Sequence, residues 1–167
     1  MPVAPSTLIR VKRDVFNPID TATVYKRIDE VRVHFDWALT HNLNWRLVLI
    51  DHWIEFAGTV VTLRYDGGLP ITLSLGQRIA VPTPTGGYHW LQAGRLNHGD
   101  VLWTVTPEFD LVRKRIVALD RQSYTGTLWT LTVEQEFSFV AYDLLCHRNP
   151  RPVEAGQVVR PEHALAL

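Results

Sequence analysis

The sequence predicts an all-β domain built from two related halves, on three observations. The first is composition: 46% of the 167 residues are hydrophobic, with six Trp, five Tyr and six Phe. That suits one domain with a sizeable core and favours strands, where aromatic and β-branched side chains pack best. The second is turn chemistry at strand spacing. Val60, Leu63 and Tyr65 lie in a β-rich run, Asp66-Gly67-Gly68 supplies the positive φ of a tight hairpin, and Ile71, Leu73 and Leu75 then alternate with smaller residues. The third is an internal repeat: Phe56–Leu63 (FAGTVVTL) matches Tyr124–Leu131 (YTGTLWTL) at a constant offset of 68 residues, 126 − 58 for the glycines. Two copies are too few for a solenoid and fit halves that complete one another's core.

Taken in order, the chain opens with a short β-run, Leu8 to Val11, in a stretch where Pro2, Pro5 and Pro18 oppose a helix. Ala22 to Lys26 is a second β-run. Val31 to Thr40 reads as one alternating strand, with Val31, Val33, Phe35, Trp37 and Leu39 on one face, and His41 to Asn44 as its turn. Trp45 to Phe56 is a long strand whose apolar run Leu47–Ile50 implies burial on both faces. Beyond the Asp66–Gly68 hairpin come Arg78 to Val81, a break over Pro82–Gly87, Tyr88 to Ala93, and a turn at Asn97–Asp100. Val101 to Val105 is a strand and Thr106 to Asp110 a loop. Lys114 to Leu119 is expected to pair with Thr127 to Val133 across Asp120–Gly126, and Phe137 to His147 to form the last strand. The domain is assigned to residues 1–148. Residues 149–167, with Pro150, Pro152 and Pro161, read as an extended tail, disordered or available as a strand for a partner.

Seventeen basic and seventeen acidic residues cancel, so no long-range field draws the chain to nucleic acid or to a membrane surface. Arg113-Lys114-Arg115 reads as a solvated strand start. A single cysteine, Cys146, excludes an internal disulfide framework. No apolar run reaches the roughly 18 residues of a membrane helix, and the N-terminal residues lack a secretory core, so a soluble protein is expected. Its seven histidines show no metal-ligand spacing and no nucleotide-binding motif occurs, so neither metal nor cofactor is expected. Trp53 and Trp90, each beside a histidine, are candidates for a contact surface.

The stretch Ile71–Asp100, ITLSLGQRIAVPTPTGGYHWLQAGRLNHGD, resembles the core of a Hint domain, the module shared by hedgehog autoprocessing domains, inteins and bacterial intein-like proteins. Trp90, Ala93, Leu96, Gly99 and Asp100 keep the framework of that pattern, while Ser74 and Gln77 stand where it carries Thr and His. Residues 126–147 resemble its closing segment, and residues 16–31 are similar in outline to its opening one. The resemblance implies a pseudo-two-fold β domain and a self-cleaving chemistry whose groups can be sought here. The nucleophile's place falls on Phe16, the penultimate His on His147 and the cyclising Asn on Arg148, with Asn149 one residue beyond and Pro150 after it.

Phe has no nucleophile, and Gln has no pKa near neutrality with which to move a proton. The expected function is therefore a catalytically silent Hint-like domain serving as a binding or structural module in a larger protein assembly. Its partners would be other protein subunits, further copies of itself included, and it would not be an enzyme. The rival is residual self-processing through His147 and Asn149 or through Cys146. A third reading is an unrelated β-barrel or sandwich with a ligand pocket. By themselves His147 reads as a strand-end histidine, Cys146 as a small buried hydrophobe and Ser74 as an outward-facing strand residue.

Overall fold

A computed structural model describes residues 3–12, 23–147 and 157–159. Twelve strands are present among them: β1 (Leu8–Lys12), β2 (Thr23–Arg27), β3 (Trp37–Leu39), β4 (Trp45–Tyr65), β5 (Ile71–Ser74), β6 (Arg78–Pro82), β7 (Tyr88–Gln92), β8 (Val101–Val105), β9 (Leu111–Val133), β10 (Ser138–Ala141), β11 (Leu144–His147) and β12 (Gln157–Val159). Two single-turn 3-10 helices, Ile28–Glu30 and Ala93–Arg95, interrupt them. The protein is all-β, as its composition and patterning predict.

The spine is the antiparallel pair of β4 and β9, 21 and 23 residues long. It runs from Val48↔Val133 to Tyr65↔Ile116, with register shifts at Val48/Ile50 and Arg64/Tyr65. A straight strand of that length would reach about 70 Å at ~3.3 Å per residue; bulges bend it so that separate stretches meet separate neighbours. The outer edge of β4 takes β3 at Trp45–Leu47, β12 at Ile54–Phe56 and β5 at Val60–Leu63. β9 takes β8 at Leu111–Arg115. The main core gathers Ile9, Ile28, Leu63, Ile79, Leu102 and Phe139, all essentially sealed from solvent.

The repeat lies on this spine, and its two copies pair with each other. Ala57 faces Thr125, flanked by Phe56↔Gly126 and Gly58↔Tyr124. An antiparallel ladder that sets the second residue of one copy against the second residue of the other has a local two-fold axis at that point. Phe56 and Tyr124 each lie across the glycine of their own strand: a Cβ on Gly58 would be 3.0 Å from the Phe56 ring, and one on Gly126 2.9 Å from the Tyr124 hydroxyl. The same symmetry recurs in the loops Thr40–Asn44 and Thr106–Asp110. In each, the first residue's N–H donates to the fifth carbonyl (3.0 and 2.8 Å) and the fourth residue's N–H to the first carbonyl (2.9 and 3.0 Å). In each, the fourth residue is left-handed, Leu43 at φ 60° and Phe109 at φ 67°.

Four expectations need correction. Val31–Thr40 is not one strand. Only Trp37–Leu39 is extended, because the buried Asp36 carboxylate accepts from its own loop, Arg32 N–H at 2.7 Å, and from Lys26 Nζ at 2.8 Å, while His34 turns to φ 63°. A short carboxylate that bonds a nearby backbone N–H gives the chain a turn in place of a ladder. Residues 114–119 and 127–133 do not pair with each other; they are two parts of β9, and 120–126 run straight because β4 supplies their ladder. The last run is a hairpin, β10 and β11, folded at Tyr142–Asp143 with Tyr142 at φ 53°. The Leu47–Ile50 stretch is fully buried only at Val48.

Candidate functional site

β5, β6 and β11 bring the predicted residues together. Ser74 ends β5, Gln77 closes a tight turn with its N–H on the Ser74 carbonyl (3.1 Å), and β6 then pairs with β11 so that Arg78 faces His147 and Ile79 faces Cys146. These are the corresponding strands of the two halves, so the site sits at a second crossing of the pseudo-dyad.

Gln77 is wholly buried, and its amide Nε2 donates to the Arg78 carbonyl at 2.8 Å and the His147 carbonyl at 2.9 Å. Its Oε1 has no partner among the described residues. Ser74 does not face outward as expected. It is also wholly buried, and its Oγ has no partner among the described residues. β5 is not an open edge: β4 lies on one side and Val3 bridges Leu73 and Trp129 on the other.

His147 is half-buried, its ring against Trp90 (centroids 5.0 Å apart) and Phe137 (4.8 Å). Cys146 is fully buried between Phe139 and Ile79, and burial pushes its thiol up to about 12. A thiol so placed stays protonated and packs as a small hydrophobe.

Phe16, Arg148 and Asn149 lie outside the described residues. Residues ahead of Phe16 are part of the fold. Val3 exchanges backbone hydrogen bonds of 2.7 Å with Trp129, and Ala4 N–H donates to Thr72 O at 3.1 Å. Val3, Ile9 and Val11 belong to the main core, so the fold begins before Phe16.

Two polar clusters escaped the sequence reading. Arg10, 1% exposed, pairs with Asp143 at 2.7 Å and also donates to Thr106 O, Val105 O and the Tyr25 hydroxyl. Tyr25 and Tyr65 donate to the same carboxylate at 3.0 and 3.1 Å. Burial, reinforced by the Asp143 charge, raises the pKa of both phenols. Two clefts of about 210 and 190 Å³ flank the cluster and share Tyr65, Gly67 and Asp143. No residue-type signal finds Arg10, because Ile9-Arg10-Val11 reads as an ordinary alternation. In the second cluster His41 Nδ1 lies 2.6 Å from Ser138 Oγ. Beside it Glu136 accepts from Thr40, Asn42 and Arg46, bonds that hold its pKa down against the opposing effect of burial.

Trp90 packs edge-on against His41 and Tyr88, and Trp53 stacks on Trp129 across the spine. Among the described residues, no three or more His, Cys, Asp or Glu are grouped to hold a metal, and no helix is long and apolar enough to cross a membrane.

No protein-family model and no curated protein sequence matches the chain. Solved structures do. The transcription factor IIB Mvu mini-intein superposes with a TM-score of 0.70 at 14% identity, over 87% of this chain and 99% of that one. The TvoVMA intein matches with a TM-score of 0.66 at 14% identity (89% and 98% covered), and the gp41-1 intein with 0.60 at 21% identity (87% and 97%). The chain therefore has the Hint fold of the inteins.

Proposed function

We propose that this Hint-fold chain is a binding or structural module of a larger protein assembly that has kept the scaffold of a self-processing domain without its reaction. The observation that carries this reading is Gln77. It stands where the resemblance calls for a histidine, it is sealed from solvent, and its amide is spent on two backbone carbonyls. An amide so held positions strands and transfers no proton at neutral pH. Ser74 keeps a hydroxyl, but no hydrogen bond joins that Oγ to a base among the described residues. Cys146, with its thiol raised to about 12, is a poor nucleophile.

The alternative is self-cleavage by cyclisation of Asn149 with His147 assisting. It draws on the contact between Gln77 and the His147 carbonyl, which fixes β11 where the chain runs on toward Asn149. Intact-mass spectrometry of the purified chain, incubated with and without a thiol, separates the two readings. The module reading expects full mass throughout, and a fragment ending at Asn149 would replace it with the alternative.

A further inference from the structure

We propose that the outer edge of β9, from Gln122 to Gly126, pairs antiparallel with the same edge of a second copy of this chain. The proposal deepens the binding-module reading and rests on it. Along β9 the outer edge is occupied in pieces: β8 covers Leu111–Arg115, the Gly99–Asp100 turn bonds Ile116, Arg121 reaches the carbonyls of Gly94 and Leu96, and Val3 covers Trp129. Between Arg121 and Trp129 no strand lies on that edge among the described residues. The Tyr124 hydroxyl donates to the Thr127 carbonyl at 2.9 Å and closes the far end of this window. An unpaired edge is a template for another strand unless charge, proline or a bulge blunts it. Gln122-Ser123-Tyr124-Thr125-Gly126 has neither charge nor proline, and Gln122, Ser123 and Thr125 are exposed.

The other half of the molecule shows what such an edge accepts. The offset of 68 carries Gln122–Tyr124 onto Ile54–Phe56, and there the outer edge of β4 is paired antiparallel with β12. On β9 no strand lies at the matching place among the described residues. A second copy is the occupant because the window suits its own reversal. With the axis beside Tyr124, Ser123 faces Thr125 of the second copy and Gln122 faces its Gly126. Hydroxyl then meets hydroxyl, a favourable cross-strand pair, with no like charges opposed. A two-fold axis makes the contact isologous and closed, so it yields a dimer and no filament.

The test is sedimentation of the full-length chain over a wide concentration range. The wild type is expected to run as a dimer. The double variant Ser123→Lys/Thr125→Lys should sediment as a monomer with unchanged far-ultraviolet circular dichroism, because both side chains are exposed. Directly opposed residues in an antiparallel pair lie about 4.5–5.5 Å apart at Cα, within disulfide reach. Ser123→Cys/Thr125→Cys should therefore oxidise to a covalent dimer, while Ser123→Cys alone should not. A wild type that stays monomeric at the highest concentration, or an oligomer that survives both lysines, overturns the proposal. Self-cleavage seen by mass would overturn the module reading alone and leave this measurement intact.

Discussion

The Gln77 amide lies 2.9 Å from the carbonyl oxygen of His147, tying the turn after β5 to the end of β11. That amide thus serves as a clamp between the two halves. Removing it takes a donor from two partly buried carbonyls, at about 0.5–1.5 kcal/mol for each hydrogen bond lost. Gln77→Ala is expected to lower unfolding free energy by roughly 2 kcal/mol on that scale, measured by urea denaturation. Gln77→His should give no cleavage by intact mass, since among the residues around that position the Ser74 Oγ has no hydrogen-bonded base and burial raises the Cys146 thiol.

Asp143 is the shared acceptor of Arg10, Tyr25 and Tyr65. Asp143→Ala leaves the Arg10 charge buried without its counter-ion, a loss of about 3 kcal/mol, the low end for such pairs because the carboxylate is partly exposed. The double variant Arg10→Met/Asp143→Leu should unfold less readily than Asp143→Ala alone. Denaturation of the two variants beside the wild type checks the order. Equal losses in both would mean that the pair is uncoupled.

Cys146 should resist alkylation in the native protein at pH 8, because burial holds its thiol near 12. Iodoacetamide labelling read by mass should become complete only in denaturant. Labelling of the folded chain at the rate of a free thiol would contradict the packing between Phe139 and Ile79.

Burial lowers the pKa of His41 below its ordinary 6.5, and the Glu136 charge only partly opposes this. A histidine lowered on folding binds protons more readily when unfolded. Its contribution is therefore complete above pH 6.5 and declines as pH falls through that value toward the folded one. Glu136 is lowered from 4.5, so its contribution persists to that pH and is lost below it. The melting temperature should fall in two steps between pH 7.5 and 3, and His41→Phe should remove the upper step alone.

Tyr124→Phe, which deletes the bond to Thr127 O, should cost about 1 kcal/mol. Gly126→Ala should cost more, since the new methyl group would meet the Tyr124 ring and hydroxyl at 2.9–3.3 Å. Thermal unfolding of both variants gives the order.

What the sequence made legible is whatever local chemistry dictates. Gly67 takes φ 74° in the predicted hairpin turn. Asn97 donates from its backbone to the Asp100 carboxylate at 2.8 Å in the predicted Asn97–Asp100 turn. The repeat was legible too, and with it the pairing of halves. What escaped depended on neighbours far along the chain. Residues 120–126 look like a turn until β4 is laid beside them, and Ser74 looks exposed although it is wholly buried in the fold. The left-handed Tyr142 that splits the last run carries no glycine or asparagine to announce it. Arg10 is invisible for the same reason, because its carboxylate partner lies 133 positions away.

The facing of Ala57 and Thr125 has one more consequence. Each half supplies the surface on which the other condenses, so neither is an autonomous folding unit, and the chain should melt in a single cooperative transition. By the same token, a backbone nick in the exposed Pro84–Gly87 segment should leave two fragments that find each other and rebuild the whole.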